Sequence, residues 1–492
     1  MKLYDEIIER KQYLKEENRS PNVGNFRYKK SEELNYILKG VKAYRTDIYN
    51  ISSIKGRIIN LGGGDPLSHK TYKYFRKDVS SLLKTDLLSC YQHTSGNSEI
   101  KSTLLSFLSS INLNYNENEM IITASTTHAY SLIMKSILRE HDVVLIPTPT
   151  YGLFIYEPEK IGGHVEFINL REKNNWKIDL NELKNKIDNI NLSLKKKYKN
   201  LNYTPRVVAL YNQNPNNPLG VFIGEKDKDY LERLIKICKE NDILIIDDLV
   251  YMDSIYDSTN FPLPMATFEE YKDNVVSLFG VSKAYSLAGV RAGFIVGNKY
   301  LIQSIRDEIF LQMDSISLIS QLSLASVYDI KRNKYRNKFL NSIKKEYKQN
   351  LEVVKYFVYG EKSVSSKVSK KINKVMKRKK IKTNENGMKN VSIYHNLIPE
   401  SGFFILLDFT ALKGYKVKDW IINDDIDLLL ALYKYYKIKF LPGSSFAWNN
   451  KNEIIGRITF SSSFENLIED MKHLQDAINS IKERGVLWEK YI

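Results

Sequence analysis

A lysine and an arginine eight residues apart, Lys283 and Arg291, are the side chains of this sequence best suited to chemistry. Lys283 follows an apolar run at residues 274–276 that indicates a buried strand, and α/β folds place ligands beyond the carboxyl ends of such strands. An amine there can form a Schiff base with a carbonyl cofactor. Arg291 has glycines on both sides and suits a phosphate. Taken alone, the stretch is equally consistent with a solvated lysine and a surface arginine.

Acidic side chains end a second apolar run. Residues 243–251 indicate a buried strand that closes on Asp247 and Asp248, with Tyr251 three residues after the second aspartate. A carboxylate at the carboxyl end of a parallel strand faces the ligand side of the sheet. Asp248 and Tyr251 could therefore point to one site. On the residues alone, Asp247 could equally be the working acid.

An asparagine turn and a buried arginine are two further candidates. Residues 214–220 contain two Asn-Pro pairs, which force an extended turn and fix the side chain of Asn217. So elaborate a turn favours a functional role. Arg457 lies in an otherwise apolar strand at residues 455–461 and needs an anionic partner there. That partner is either an internal carboxylate or the carboxylate of a substrate.

Two turns have the composition of phosphate-binding loops. Gly64 ends a run of three glycines after an apolar segment, so backbone N–H groups are free to face a ligand. Ser125, Thr126 and Thr127 open a helical pattern and offer hydroxyls and N-terminal amides. An ordinary glycine turn would account more simply for the first, and a plain helix cap would account equally well for the second.

Two tyrosines complete the set of candidates. Tyr151 lies on a proline-stiffened loop at a strand end and could stack on a flat ring, although such a tyrosine more often packs in the core. Tyr91 precedes a helical pattern and is a weak candidate by itself, because the chain has 33 tyrosines.

Composition narrows the class of protein. At 492 residues with 43% apolar residues, the chain can bury a large core and is expected to divide into two domains. No apolar run has the length of a membrane span, and the charged N-terminus lacks an apolar signal core, so we expect a cytoplasmic protein. Two cysteines, Cys90 and Cys238, make no disulfide framework. Because no Cys/His cluster has metal-ligand spacing, no metal site is expected.

The net charge of +17 is concentrated in one segment. Residues 361–390 contain eleven basic and two acidic residues, a net charge of +9. A local, lysine-dominated run favours a solvated insertion, and nucleic-acid binding is the less favoured interpretation. A second Lys/Asn-rich insertion at residues 186–203 has no evident role.

From residue 120 onward the pattern alternates strand and helix, which predicts an α/β fold with a mostly parallel sheet. We divide the chain into an N-terminal arm at 1–57, a large domain at 58–304 and a small C-terminal domain at 305–492. The arm begins with an amphipathic helix predicted within residues 1–20. The basic insertion belongs to the small domain.

Five motifs in one order resemble the fold-type I pyridoxal-phosphate (PLP) enzymes, in particular class I/II aminotransferases and proteins similar to 1-aminocyclopropane-1-carboxylate synthase. The motifs are the segment Tyr91–Gly96, the turn at residues 214–220, the pair Asp248/Tyr251, the segment at residues 280–293, and Pro442-Gly443 followed by Arg457. They span roughly residues 58–465. The resemblance implies a seven-stranded, mostly parallel sheet between helices, a smaller α+β domain and a homodimer.

The resemblance also implies roles for the candidate residues. Lys283 would hold PLP as a Schiff base and act as general base, and Asp248 would pair with the pyridine nitrogen. Asn217 and Tyr251 would contact the ring oxygen, and Tyr151 would stack on the ring. The groups expected around the phosphate are Ser125, Thr126, Thr127, Ser282, Arg291 and, from the neighbouring subunit, Tyr91. Arg457, with Asn217 and the backbone near Gly64, would bind the substrate carboxylate.

Three departures from the family pattern affect details. Gly280 stands where many relatives have a phosphate-binding serine, Ser125 replaces the usual glycine, and Leu219 replaces a common threonine or serine. These leave the lysine, aspartate and arginine roles intact.

The favoured function is transamination, in which an L-amino acid gives its amino group to PLP and a 2-oxo acid receives it. Lyase, decarboxylase or cyclase activity is the alternative, because PLP stabilises any α-carbanion, and a weakened PLP-binding regulatory protein ranks lower. No basic residue lies between Arg306 and Lys331, where some dicarboxylate-specific relatives have an arginine. This mildly disfavours aspartate or glutamate as the main donor.

Overall fold

A computed structural model of the chain describes residues 2–6, 32–47, 57–67, 69–257, 260–382, 386–418, 420–448, 450 and 452–484. Residues 2–6 are helical, and the rest of the amphipathic helix predicted within residues 1–20 lies outside the described residues.

Seven strands form the central sheet. In chain order they are β2 (Met120–Thr123), β3 (Val143–Thr148), β4 (His164–Asn169), β5 (Val207–Gln213), β6 (Leu244–Asp248), β7 (Val275–Gly280) and β8 (Gly293–Val296). Their order across the sheet is β2-β8-β7-β6-β5-β3-β4, and only β8 runs antiparallel to its neighbours. Every residue of β3, β5, β6 and β7 is buried, as expected for strands covered on both faces.

Thirteen labelled helices flank the strands in the described part of the chain. They are α1 (Glu32–Lys42), α2 (Lys73–Leu82), α3 (Ser98–Ser109), α4 (Thr126–Ile137), α5 (Leu153–Ile161), α6 (Leu180–Lys197), α7 (Lys228–Glu240), α8 (Lys299–Met313), α9 (Leu318–Tyr328), α10 (Asn333–Tyr359), α11 (Ser366–Arg378), α12 (Asp425–Tyr436) and α13 (Phe464–Arg484). Helices α2 to α9 contribute to the apolar core around the central sheet. This arrangement of helices around a mostly parallel sheet is the predicted fold class.

The remaining strands lie outside the central sheet. They are β1 (Ile59–Asn60), β9 (Ser392–Ile393), β10 (Phe404–Asp408), β11 (Lys416–Val417), β12 (Trp420–Ile421), β13 (Ile438–Lys439), β14 (Leu441–Pro442) and β15 (Ile455–Thr459). Four of them form an antiparallel sheet in the order β14-β15-β10-β9, while β1 pairs with β13 in parallel and β11 pairs with β12. This sheet, α11 to α13 and most of α10 share a second apolar core.

The packing bears on the predicted division of the chain. Helices α8 and α9 extend past residue 305 yet pack on the first core. The boundary at 304/305 stays a prediction, and this packing favours a boundary nearer to residue 333.

Each of the two Lys/Asn-rich segments contains a helix that packs on the rest of the protein. Helix α11 of the basic segment buries Ile372, Val375 and Met376 and exposes most of its lysines. At its end, Arg378 pairs with Glu465 of α13 at 2.5 Å. Residues 186–197 of the second segment belong to α6, where Lys186 pairs with Glu166 at 2.9 Å.

No helix among the described residues is both long and apolar enough to cross a membrane. Within the same ranges, no group of three or more His, Cys, Asp or Glu side chains is arranged to hold a metal ion.

Asn350 provides a test of how the second core is held together. Its amide nitrogen, buried on α10, donates hydrogen bonds of 2.9 and 2.8 Å to the carbonyls of Phe460 and Ser462. We expect Asn350→Ala to lower the free energy of unfolding by about 2 kcal/mol, because two carbonyls lose their donor. Urea unfolding measures this. Lys348→Ala, an exposed change on the same helix, should stay within about 0.5 kcal/mol, and equal losses for both variants would contradict the assignment.

Candidate active site

One cavity of about 710 Å³ opens at the carboxyl ends of the central strands. That volume lies in the range of small-molecule and cofactor sites. Twelve of the thirteen predicted site residues line it: Gly64, Ser125, Thr126, Thr127, Tyr151, Asn217, Asp248, Tyr251, Ser282, Lys283, Arg291 and Arg457. Four of the five motifs, which lie far apart in the sequence, therefore contribute residues to one cavity.

Lys283 projects into this cavity just after β7 ends at Gly280. Its Nζ donates a hydrogen bond of 2.9 Å to the carbonyl oxygen of Gly64 and lies 5.9 Å from the ring centroid of Tyr251. Burial, with the positive charge of Arg457 as the next cause, lowers the pKa of Lys283 to about 8. A substantial fraction of the amine is therefore neutral near physiological pH, as a nucleophile or base must be.

Asp248 ends β6 and is fully buried. Its Oδ2 accepts hydrogen bonds from the Tyr211 hydroxyl at 2.8 Å and the Gln213 amide at 3.2 Å, and its Oδ1 accepts one from the Val250 N–H at 3.1 Å. Burial raises the pKa of Asp248, while these three donors act in the opposite direction. The donors thus favour the ionised carboxylate that a protonated ring nitrogen requires.

The structure resolves the choice between the two aspartates. Asp247 accepts hydrogen bonds from Asn212 at 3.2 Å and from the Met265 N–H at 2.9 Å, and it is not among the residues that line the cavity. Successive side chains of a strand point to opposite faces, so only one of the pair can face the cavity. That residue is Asp248.

Arg457 carries a buried positive charge with neutral partners. Its guanidinium donates to Asn217 Oδ1 at 2.9 Å and to the carbonyls of Gly62 and Gly63 at 3.0 and 3.2 Å. Its Nε has no hydrogen-bond partner among the described residues, and burial lowers the pKa of the group. A buried guanidinium held by neutral oxygens is suited to a ligand anion.

A second anion site lies at the start of α4. The Ser125 hydroxyl accepts a hydrogen bond from the His128 N–H at 3.1 Å and caps the helix, whose first two residues, Thr126 and Thr127, line the cavity. Arg291 adds a cation there, with its Nη1 fixed at 2.9 Å from the Ala288 carbonyl. Helix amides, hydroxyls and a guanidinium together suit a phosphate.

The start of α4 packs closely against Gly293 of β8. A Cβ built on Gly293 would lie 3.0 Å from the Thr126 nitrogen and 2.9 Å from the Phe279 carbonyl oxygen. Any side chain there would push the start of α4 away from β8. The last glycine of the segment at residues 280–293 is therefore required by the close approach of the two backbones.

Tyr151 lies on the cavity wall, on a loop tied to its neighbours. The Thr150 N–H donates to the Phe446 carbonyl at 3.0 Å, and the Asn216 amide donates to the Pro149 carbonyl at 3.3 Å. The loop is thereby joined to the asparagine turn that carries Asn217. A ring held this way can stack on a flat ligand.

Tyr91 is the one predicted site residue that the structure leaves apart. It is 90% exposed and is not among the described residues that line the cavity. Its predicted role requires a neighbouring subunit, so the role stays a prediction.

Sequence reasoning missed five residues at or behind this site: Tyr44, Arg45, Tyr211, Gln213 and Lys439. Tyr211 and Gln213 could have been found, because they alternate on β5 next to the asparagine turn and therefore share one face. No motif or periodic pattern in the sequence indicated the other three. Tyr44 and Arg45 belong to the N-terminal arm, and Lys439 lies in a two-residue strand.

The residues present fit PLP at each of its functional groups. The α4 amides with Arg291 suit the phosphate, the Asp248 carboxylate suits the ring nitrogen, and the Lys283 amine suits the aldehyde carbon. A Cβ on Gly64 would lie 3.7 Å from Lys283 Nζ, so this glycine leaves space beside the amine.

Two relatives illustrate the sequence matches. The aspartate aminotransferase of Bacillus subtilis (strain 168) is 26% identical over 273 residues, which are 55% of this chain and 64% of that enzyme. The match thus spans less than two thirds of that relative's length. A probable aspartate/prephenate aminotransferase of Aquifex aeolicus is 22% identical over 425 residues, 86% of this chain and 92% of the relative.

Solved structures share the fold. An alanine aminotransferase from Pyrococcus furiosus superposes with a TM-score of 0.68 at 19% identity, covering 92% of this chain and 100% of that one. A double mutant of the Thermus thermophilus aspartate aminotransferase has a TM-score of 0.66 at 17% identity, covering 92% and 97%.

A family model described as "Aminotransferase class I and II" matches residues 56–474. The match covers most of the chain, and its family depends on PLP, as the cavity residues lead us to expect. This chain therefore belongs to the class I and II aminotransferases, which confirms the predicted family, fold class, enzyme type and cofactor.

Proposed function

We propose that this chain moves the amino group of an L-amino acid to a 2-oxo acid, with Lys283, Asp248 and Arg457 as its central residues. The observation that supports this most strongly is their meeting in one cavity: an amine of lowered pKa, a buried carboxylate and a buried guanidinium with neutral partners. These three groups match the needs of an amino acid bound next to PLP.

Each residue has a defined part in the proposed mechanism. PLP, when bound, supplies an electron sink for the carbanion at the substrate Cα. Arg457 binds the substrate α-carboxylate with paired hydrogen bonds and so orients Cα. The Lys283 amine accepts the proton of Cα, and its lowered pKa suits a base near neutral pH. Asp248 holds the proton on the ring nitrogen.

Two more residues orient the reactants. The Oδ1 of Asn217 accepts a hydrogen bond from Arg457 at 2.9 Å, so the amide hydrogens of Asn217 remain for the ring oxygen of the cofactor. Burial raises the pKa of Tyr251, whose hydroxyl therefore stays protonated and can donate. Together they would set the tilt of the ring relative to Lys283.

The relatives named above are aminotransferases, which supports transamination over elimination, decarboxylation or cyclisation. Retention of Lys283, Asp248 and Arg457 in one cavity argues against a weakened, regulatory PLP-binding protein. The cytoplasmic location and the lack of nucleic-acid binding stay predictions.

Replacement of the lysine tests the proposed function. In single-turnover experiments with L-amino acids, the visible cofactor band of the native protein should convert to that of the aminated cofactor. We expect Lys283→Ala to slow this conversion by about 1,000-fold or more, because the general base is removed. Lys299→Ala, an exposed lysine on α8, should react like the native protein. Conversion at a native rate in Lys283→Ala would refute the proposed role.

The lowered pKa of Lys283 gives a pH prediction that does not depend on turnover. Only the neutral amine is acetylated, so trace labelling of the cofactor-free protein at Lys283 should rise with pH to a midpoint of about 8. Exposed lysines should label with midpoints near about 10.4. Arg457→Met removes a positive charge that disfavours the ammonium form, so the midpoint should move to higher pH.

Peptide mass spectrometry across a pH series measures both midpoints. Arg306→Met, an exposed arginine of α8, is the matched control and should leave the midpoint in place. A native midpoint close to that of exposed lysines would show that the cavity does not shift this amine.

We also propose a homodimer in which Tyr91 completes the phosphate site of the partner. Tyr91 is 90% exposed, and Leu83, Leu87 and Leu88 nearby in the chain are 61%, 55% and 46% exposed. Exposed leucines clustered in one segment favour an interface. The class I and II family also supports a dimer.

Complementation between two variants tests this arrangement. Tyr91→Phe should weaken PLP binding about 10- to 100-fold, the effect expected for a hydroxyl lost from an anion. Lys283→Ala should be inactive. Co-expression of the two should produce mixed dimers with one intact site, so activity at low PLP should exceed that of either variant alone. Activity equal to the average of the separate variants would exclude a shared site.

A further inference from the structure

Gln213 is buried at the wall of the cavity and has no part in the mechanism proposed above. It is the last residue of β5 and lies opposite Asp248, the last residue of β6, in the parallel ladder. Only 8% of Gln213 is exposed, and it lines the cavity together with Asn217. A buried side-chain amide needs partners for both its oxygen and its nitrogen, so its partners show what it holds in place.

Both ends of this amide are used, and their partners belong to different parts of the site. The Nε2 of Gln213 donates a hydrogen bond of 3.2 Å to Asp248 Oδ2, and its Oε1 accepts one of 3.0 Å from the Asn217 N–H. An ionised carboxylate only accepts and a backbone N–H only donates, so the amide can satisfy both in one orientation alone. Neither an ionised carboxylate nor a thioether offers this combination of donor and acceptor.

Asn217 extends the contact to the proposed substrate site. Its backbone N–H is bound by Gln213, while its side-chain Oδ1 accepts the hydrogen bond of 2.9 Å from Arg457 Nη1. Three hydrogen bonds therefore lead from the guanidinium to the carboxylate of Asp248, and in each of them the donor is on the Arg457 side. Hydrogen bonds aligned in one direction polarise and strengthen one another. All four residues are at most 8% exposed, so water competes little for these bonds.

Tyr211 differs from Gln213, although both donate to the same oxygen of Asp248. The Tyr211 hydroxyl donates to Asp248 Oδ2 at 2.8 Å, and the Tyr211 ring packs against Tyr130 and Phe154, with centroid distances of 5.5 and 4.8 Å. Tyr211 thus supports the carboxylate from the aromatic core. In the part of the chain that the structure describes, Gln213 alone hydrogen-bonds to both Asp248 and Asn217.

We propose that Gln213 is a positioning residue for transamination, which keeps Arg457 and Asn217 in register with Asp248. The inference rests on the proposed function, since it takes Arg457 as the α-carboxylate site and Asp248 as the partner of the ring nitrogen. The point that fixes the substrate and the point that fixes the cofactor ring then share one connection. This connection holds the substrate Cα at a defined position relative to the ring, which is what a positioned reaction requires.

Two substitutions that each remove a donor from Asp248 Oδ2 separate this role from support of Asp248 alone. Gln213→Met also removes the contact with Asn217, and Tyr211→Phe does not. We expect Gln213→Met to weaken binding of butyrate, an unreactive monocarboxylate, to the cofactor-free protein about 5- to 10-fold by calorimetry. Tyr211→Phe should bind butyrate with native affinity, and both variants should bind PLP about 10-fold more weakly. Arg457→Met identifies the butyrate that binds at the proposed carboxylate site.

Gln213→Glu adds a pH signature that a change in packing would not produce. The side chain keeps its size, and the new carboxylate faces Asp248, so one proton is shared between the two acids and its pKa is raised. With this proton present, the substituted side chain can still donate to Asp248 and accept from Asn217, and butyrate should bind with near-native affinity. Loss of the proton at higher pH should increase the ratio of native to variant affinity about 10-fold. A ratio is used because Lys283 titrates in both proteins.

The outcomes separate the two proposals. Native butyrate affinity in Gln213→Met, or equal losses in Gln213→Met and Tyr211→Phe, overturns the positioning role. A ratio for Gln213→Glu that does not change with pH also overturns it, and this isosteric variant keeps the test open if Gln213→Met does not fold. Butyrate binding requires no turnover. The expected pattern without transfer of an amino group would therefore support Gln213 as a positioning residue of the anion site and overturn the proposed function.

Discussion

The guanidinium of Arg457 connects parts of the chain that lie hundreds of residues apart. It binds Asn217 of the asparagine turn and the backbone of Gly62 and Gly63, while its own strand, β15, belongs to the second core. It also lies 5.2 Å from the ring of Phe404 and 5.3 Å from that of Phe446. A buried cation tolerates displacement poorly, because each lost oxygen leaves an N–H without a partner. The positions of the turn, the glycines and β15 therefore depend on one another through this side chain.

That constraint has an electrostatic consequence for Lys283. The charge of Arg457 adds to burial in lowering the pKa of the lysine, so the residue that can hold a substrate carboxylate also helps to keep the amine neutral. Asp248 presents the opposite case. Burial raises its pKa, and three hydrogen-bond donors act in the opposite direction. The cavity thus combines an amine of lowered pKa with a buried carboxylate whose rise in pKa is limited by its donors.

The ends of the central strands were predicted well from the sequence, because a long apolar run that stops at glycine or polar residues is typical of a buried strand. Lys283, Asp248 and Asn217 were found in this way. The residues alone left Asp247 and Asp248 open, since the choice depends on which face of β6 meets the cavity, and only the resemblance to the family selected Asp248. Lys439 was missed because a two-residue strand has no detectable period, and its partner strand β1 lies hundreds of residues earlier in the chain. The role of Tyr91 stays a prediction for a different reason, because the site it would complete belongs to another chain.

Two of the departures from the family pattern, Gly280 and Ser125, have a physical explanation in the packing around the proposed phosphate site. A Cβ on Gly280 would lie 3.1 Å from the Thr126 methyl group, so Thr126 already occupies the space that a serine side chain at position 280 would need. Ser125 stands where a glycine is usual, and its backbone is extended, with φ of 170°, a conformation open to any residue. Its hydroxyl accepts a hydrogen bond from the His128 N–H and caps α4, and Ser125 lines the cavity. The hydroxyl absent at Gly280 is thus accompanied by one additional hydroxyl at the start of α4, from Ser125.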